Sequence, residues 1–105
     1  MVKPFADFIS DQLKGQEKLF QLKNKQYGTK DPLANFKNGA ALSFGSTENK
    51  YLFEEAKNYC KKHIAHVFGK DQTINEPGIN ESLKDISLYS LILLYIWQCE
   101  QEKTS

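Results

Sequence analysis

The most constraining feature of the sequence is the segment ISLYSLILLYIW, residues 86–97, in which ten of twelve residues are apolar or aromatic. A membrane-spanning helix needs about 20 such residues, so this segment predicts a helix buried in protein. Its apolar residues occupy every side of the helix rather than one stripe, and a second surface must therefore cover it. Another copy of the chain is the simplest candidate. We expect a homo-oligomer with Leu91, Leu94 or Trp97 in its interface.

The first half of the chain shows apolar residues at helical spacing. This pattern predicts a first helix from Pro4 to about Gln21, weakened in its middle by Gly15, and a short helix from about Leu33 to Phe44. The stretch between them, punctuated by Gly28 and Pro32, predicts a loop.

The second half predicts two longer helices separated by a loop over residues 69–78. Gly45 ends the short helix, and Ser46 or Thr47 caps the next one. Asn80 is the expected N-cap of the last helix. No segment alternates with the period of a strand, so we expect a single all-α domain over residues 1–105, a bundle of four to five helices. The third helix carries an inner stripe spaced by four, three, four and four: Leu52, Ala56, Tyr59, His63 and Val67.

Composition excludes some partners and limits the chemistry of others. A net charge of +1 predicts neither a duplex nucleic acid partner nor an acidic membrane surface. All fourteen basic residues are lysines, so a phosphate site here would lack the bidentate guanidinium group. Cys60 and Cys99 lack metal-ligand spacing and predict free thiols in a reducing compartment, with a disulfide as the lesser alternative. The N-terminus has no apolar run of signal-peptide length, and we expect a cytoplasmic location.

Two acids begin the last helix. Glu81 and Asp85 are four residues apart, with Tyr89 one further turn along, so their oxygen atoms would line one face. Two carboxylates that close can share a hard cation such as Mg²⁺. The alternative is an exposed first turn whose acids suit the helix dipole.

The two histidines lie three residues apart on the third helix. His63 and His66 could ligate a metal, but no pattern in the sequence indicates a third or a fourth ligand. A partly buried, hydrogen-bonded histidine is the favoured interpretation of His63.

The polar stretch KNKQYGTKDPLANF, Lys23 to Phe36, is the third candidate site. It contains Tyr27, Leu33 and Phe36, which a surface loop has little reason to keep. Tyr27 and Phe36 could hold the loop on the bundle, or the loop could be a ligand site, as long loops with aromatic content often are.

The order of four short motifs resembles that of a known family. KN-x-x-YG is followed by DPLANF, then by Lys-His-Ile at residues 62–64, then by Glu-x-x-x-Asp-x-x-x-Tyr at residues 81–89. This order, over about residues 15–97, looks like that of small helical phage and prophage proteins with a nucleotide-modification-associated domain. That family is distantly similar to the MazG-type all-α NTP pyrophosphatases.

The resemblance implies an oligomeric helical domain that binds a nucleotide or a nucleotide-derived signal, such as a host defence messenger sequestered in the host cell cytoplasm. It implies base stacking by Tyr27 or Phe36 and phosphate neutralisation by Lys23 or Lys62. Glu81 and Asp85 would be the metal ligands, with Mg²⁺ as the possible cofactor. The ligand-binding residues it implies are Lys23, Asn24, Tyr27, Gly28, Asp31, Asn35, Phe36, Lys62, His63 and Tyr89.

The chain departs from the hydrolase pattern of four carboxylates on two helices. The earlier helix offers only the adjacent Glu54 and Glu55, which point about 100° apart, and Lys84 stands where a fourth acid would be. We therefore expect a non-catalytic binder. The alternative is a Mg²⁺-dependent nucleoside triphosphate pyrophosphohydrolase of the MazG-like type.

Overall fold

The structure, a computed structural model, describes residues 2–27, 31 and 33–104, and for residues 23–27 and 104 it describes the backbone alone. Within these ranges there are four α-helices and no strand, which confirms the expected all-α class. The chain divides into two compact units, Met1–Pro32 and Leu33–Ser105. The helices are α1 (Phe5–Tyr27), α2 (Ala34–Phe44), α3 (Asn49–Phe68) and α4 (Ile79–Thr104).

The first unit contains α1, which begins directly after Pro4, whose carbonyl oxygen accepts a hydrogen bond from the amide of Phe8 at 3.0 Å. The helix continues through Gly15 and ends at Tyr27, six residues beyond the predicted end. The prediction of a loop over residues 23–27 is therefore wrong. Lysine and glutamine are good helix formers, and no glycine or proline interrupts the chain between Gly15 and Gly28.

In the second unit, α2 ends as predicted. Gly45 has a left-handed backbone, with φ of 72°, and its amide donates a hydrogen bond to the carbonyl oxygen of Ala41. The N-cap of α3 is Glu48 rather than the predicted Ser46 or Thr47. The hydroxyl of Ser46 instead accepts a hydrogen bond from the amide of Glu48, one residue before the helix.

The start of α4 also differs from the prediction. The helix begins at Ile79, so Asn80 lies in its first turn and is not the N-cap. The cause is the turn before it: Gly78 has a φ of 81°, and its carbonyl oxygen accepts a hydrogen bond from the amide of Ser82. The chain enters the helix directly from that turn, and residues 69–78 form the predicted loop between α3 and α4.

The core of the second unit is small. Its buried residues come from α2, α3 and α4, and α3 packs along both other helices. Gly39 allows a close approach of α2 to α3, because a Cβ atom there would lie 2.9 Å from the side-chain Cδ of the buried Glu55. The buried apolar cluster consists of Phe36, Ala40, Leu52, Ala56 and Ile96.

The apolar segment of α4 is buried on one side only within this unit. Ile96 is 2% exposed, whereas Leu91, Leu94 and Trp97 are 54%, 53% and 48% exposed. The inward residues lie on the face that meets α3, and the three exposed residues lie away from it. Over the residues that the structure describes, no helix has the length and apolar character needed to cross a membrane.

Both thiols are free, as predicted. Cys60 is buried in α3 and Cys99 is half-buried in α4. Burial raises the pKa of the Cys60 thiol above its ordinary value.

Candidate functional site

A chain of polar side chains joins α3 to the start of α4. His63 Nε2 lies 3.3 Å from Asp85 Oδ2, and His63 Nδ1 lies 3.3 Å from Ser82 Oγ. The same Ser82 oxygen lies 2.7 Å from His66 Nδ1. His66 Nε2 in turn lies 3.9 Å from Glu76 Oε1 in the loop before α4, beyond hydrogen-bond distance. One serine hydroxyl thus stands between the two imidazoles of the chain.

An aromatic cluster continues this site along α3 and α4. The His63 ring stacks on Tyr89, with centroids 5.9 Å apart and planes at 25°. Tyr89 lies 6.5 Å from Tyr59, with planes at 34°. Phe36 meets both tyrosines edge-on, at 5.2 Å from Tyr59 and 6.2 Å from Tyr89. Three tilted rings therefore form a row across the two helices, with Phe36 beneath it.

Helical spacing brings these groups together. Tyr59 and His63 are four residues apart on α3, and Ser82, Asp85 and Tyr89 are spaced by three and four on α4. Residues at such spacing share one face of a helix, and these two faces meet where α3 packs on α4.

Gly78 leaves room for the second histidine. A Cβ atom at this position would lie 3.1 Å from His66 Cε1. Its φ of 81° is in the left-handed region, which glycine adopts without strain. Glycine therefore lets the turn before α4 fit against the His66 ring without backbone strain or a tight Cβ contact.

The electrostatics of the site are most visible at Tyr89. Burial raises the pKa of its phenol, because the charged form loses solvation. The nearby Asp85 raises it further, as do smaller contributions from Cys60 and Tyr59. Tyr89 therefore keeps its proton to a higher pH than an exposed tyrosine, and its hydroxyl stays a potential hydrogen-bond donor.

Four of the predicted site residues meet here: Phe36, His63, Asp85 and Tyr89. They come from three separate sequence motifs and from three helices. Phe36 is 8% exposed and belongs to the core, which favours the alternative that this ring holds α2 on the bundle. The partly buried, hydrogen-bonded His63 that the sequence predicted is confirmed.

Other predicted residues of the second unit lie on its surface. Lys62 is exposed on α3 next to His63, and Asn35 is exposed in the first turn of α2. Glu81 is exposed in the first turn of α4, one turn before Asp85. Among the residues whose positions are described, no three His, Cys, Asp or Glu side chains group to hold a metal ion. A cation shared by Glu81 and Asp85 stays a prediction.

The remaining predicted ligand residues belong to the first unit. Lys23, Asn24 and Tyr27 lie in the last turns of α1, and the predictions for their side chains fall outside what the structure describes. Gly28 lies outside the described residues. Asp31 is half-buried.

Sequence reasoning missed three members of the site. Tyr59 was assigned to the inner stripe of α3, yet it is 37% exposed, and its distance of four residues from His63 was the available signal. Ser82 lies between Glu81 and Asp85, two acids whose positions are already explained by the helix dipole. Glu76 lies in a loop. No pattern in the sequence marks either as a partner of a histidine.

Comparisons with family models, with curated proteins and with solved structures found no match to this chain.

Proposed function

We propose that the protein binds a nucleotide or a nucleotide-derived signal at the surface formed by Tyr59, His63, Asp85 and Tyr89. The observation that carries this proposal is the convergence of motif residues. His63 lies on α3, whereas Asp85 and Tyr89 lie on α4; each is predicted as a ligand-binding or metal-binding residue, and His63 contacts both of the others.

The row of rings suits a flat ligand. Tyr59 is the most exposed of the three, and its plane is tilted by only 34° from that of Tyr89. A nucleobase stacked on Tyr59 would exchange water for an aromatic surface, a contact worth about 1–3 kcal/mol per base. This role, which the sequence suggested for Tyr27 or Phe36, falls to Tyr59 in the proposal.

Polar groups around the rings would orient the ligand. The Asp85 side chain is 40% exposed, so a carboxylate oxygen can accept a hydrogen bond from an amino group of a base. Lys62 is exposed beside His63 and offers a mobile ammonium group for a phosphate. A binder with these features fits the sequestration of a signalling nucleotide in the host cytoplasm, the role implied by the resemblance to phage proteins.

A thermal-shift screen against nucleotides, cyclic dinucleotides and ADP-ribose derivatives, with and without Mg²⁺, tests the proposal. A ligand present at 100 times its Kd stabilises the folded protein by about 2.7 kcal/mol. For the ligand found, Tyr59→Leu should weaken binding about five- to 150-fold, as the loss of a base stack predicts.

Tyr51→Leu is the matched control. Tyr51 is a half-buried tyrosine of the same helix that stacks on Phe44 at 5.2 Å, away from the site. It should leave affinity unchanged while costing comparable stability. Equal losses of affinity in Tyr51→Leu and Tyr59→Leu, or no shift with any ligand of the screen, would overturn the proposal.

The hydrolase alternative has its own readout. The same nucleotides are incubated with Mg²⁺ or Mn²⁺ and the products are separated by chromatography. Formation of a monophosphate and pyrophosphate that disappears in Asp85→Asn would favour the enzyme over the binder. We expect the nucleotides to remain intact.

We further infer that α4 pairs with α4 of a second copy, in antiparallel orientation. Its outward side carries small residues early, the half-buried Ser87 and the exposed Ser90, and large exposed ones later, Leu94 and Trp97. In an antiparallel pair each serine faces a large side chain of the other copy: Ser87 opposes Trp97, and Ser90 opposes Leu94. A parallel pair would instead set Trp97 against Trp97.

Light scattering at micromolar concentration measures this assembly. Leu94→Glu places a charge at the centre of the pairing surface and should shift the mass toward the monomer. Leu42→Glu is the control, since Leu42 is exposed on α2 and lies outside the pairing surface. A monomeric mass for the wild-type protein, or equal effects of both variants, would contradict the pairing.

A further inference from the structure

Both histidines contact the hydroxyl group of Ser82, which carries a single proton. Ser82 Oγ lies 3.3 Å from His63 Nδ1 and 2.7 Å from His66 Nδ1. A serine hydroxyl donates one hydrogen bond and accepts up to two. It can donate to only one of these ring nitrogens, so the other contact requires an N–H on the imidazole.

The contact with Asp85 determines which histidine accepts the hydrogen bond from the Ser82 hydroxyl. An ionised carboxylate only accepts hydrogen bonds, so its 3.3 Å contact places the hydrogen of His63 on Nε2. In neutral His63, Nδ1 is then a bare acceptor, and the Ser82 hydroxyl donates to it. With that proton used, His66 must donate to Ser82 from Nδ1.

The structure assigns opposite tautomers to the two neutral histidines, Nε2–H for His63 and Nδ1–H for His66, with Ser82 as the positioning residue that couples them. Ser82 suits this role because it is 5% exposed. The described residues contain no buried side-chain nitrogen or oxygen atom without a hydrogen-bond partner. The burial of Ser82 keeps bulk water away from this hydroxyl.

One imidazole nitrogen is left as a hydrogen-bond acceptor with no donor assigned to it. The chain has two histidines and four imidazole nitrogens, three of which are committed to Ser82 or Asp85. The fourth, His66 Nε2, carries a lone pair and faces Glu76 Oε1 at 3.9 Å. Two acceptors cannot bond to each other, which agrees with this longer distance. His66, rather than His63, is thus the imidazole that can accept a hydrogen bond from a ligand.

The tautomers can be measured without a ligand, by long-range ¹H–¹⁵N correlation at about pH 9, more than two units above the ordinary imidazole pKa of about 6.5. Protonated and bare ring nitrogens resonate far apart, and the His66→Gln variant assigns the two residues. We expect the bare nitrogen to be Nδ1 in His63 and Nε2 in His66. The same tautomer in both rings, or the reverse pair, would overturn the assignment.

Ser82→Ala tests the coupling. Without the hydroxyl, His66 Nδ1–H loses its acceptor, and its spectrum should change from a single form to a mixture of tautomers. Ser82→Thr keeps a hydroxyl and should keep the wild-type pattern, whereas Ser43→Ala removes an exposed hydroxyl on α2 and should change nothing. An unchanged His66 spectrum in Ser82→Ala refutes the role of Ser82. If that variant does not fold, the wild-type and Ser82→Thr spectra decide. Since no nucleotide is present, failure here is distinct from failure of the proposed binding.

Discussion

Replacing Phe36 with alanine separates a structural role of this ring from a role in ligand binding. Phe36 is 8% exposed and lies edge-on to Tyr59 and Tyr89, so it joins α2 to both other helices of its unit. Emptying a buried phenylalanine site costs about 3–5 kcal/mol. A domain of this size is stable by only about 5–15 kcal/mol. Phe36→Ala should therefore lower the melting temperature by roughly 12–40 °C, at about 4–8 °C per kcal/mol.

A milder substitution keeps the test measurable. Phe36→Leu retains an apolar side chain but loses both ring contacts, each worth about 0.5–1.5 kcal/mol beyond area burial, so we expect a loss of roughly 1–3 kcal/mol. Urea unfolding followed by circular dichroism gives the difference. Asn35→Ala is the control, because the neighbouring Asn35 is exposed and should change stability by less than about 0.5 kcal/mol.

The opposite result would show that Phe36 is a pocket wall. In that case Phe36→Leu would unfold at the same urea concentration as Asn35→Ala while losing affinity for the ligand as strongly as Tyr59→Leu. Such a pair of measurements would refute the placement of this ring in the core.

Further substitutions test the helix contacts and the buried phenol. Gly39→Ala and Gly15→Ala each gain up to about 1 kcal/mol in helix propensity, but the Cβ at position 39 would displace the buried Glu55 carboxylate, whereas the Cβ at position 15 meets no atom within 4 Å. Gly39→Ala should therefore be the less stable of the two variants, and equal unfolding midpoints would contradict this. The raised pKa of Tyr89 means that the folded state keeps this proton when the unfolded chain has lost it. Stability should therefore be complete below the ordinary pKa of 10.0 and fall as the pH rises beyond it. Tyr89→Phe should reduce that fall in unfolding midpoints measured up to about pH 11, and an unchanged slope would refute the contribution of this residue.

Much of the helical organisation was readable from local sequence. Gly45 ends α2 as its lack of a Cβ predicts, and the spacing of apolar residues placed α2, α3 and α4. The end of α1 was predicted too early. The loop marked by Gly28 was expected to include residues 23–27, but these residues are ordinary helix formers. Asn80 failed as a cap because the left-handed Gly78 had already turned the chain into the helix.

Some residues of the site could be predicted from local sequence, whereas others are brought in only by tertiary packing. Asp85 and Tyr89 were predicted because they repeat at helical spacing on one element, and spacing within a helix is a property of the sequence. Ser82 could not be predicted as the partner of His63 and His66, since that contact depends on the rotation of α3 against α4. Rotation is set by the packing of the core around residues such as Ile96, and no local pattern encodes it.

The close approach of Gly39 to Glu55 has an evolutionary consequence. A chain that keeps this packing of α2 on α3 cannot add a side chain at position 39 unless position 55 becomes smaller or turns away. The two positions should therefore change together among related sequences, glycine with a long residue and alanine with a short one. Such paired changes, once relatives are aligned, would trace the contact through a family even where the residues of the site have diverged.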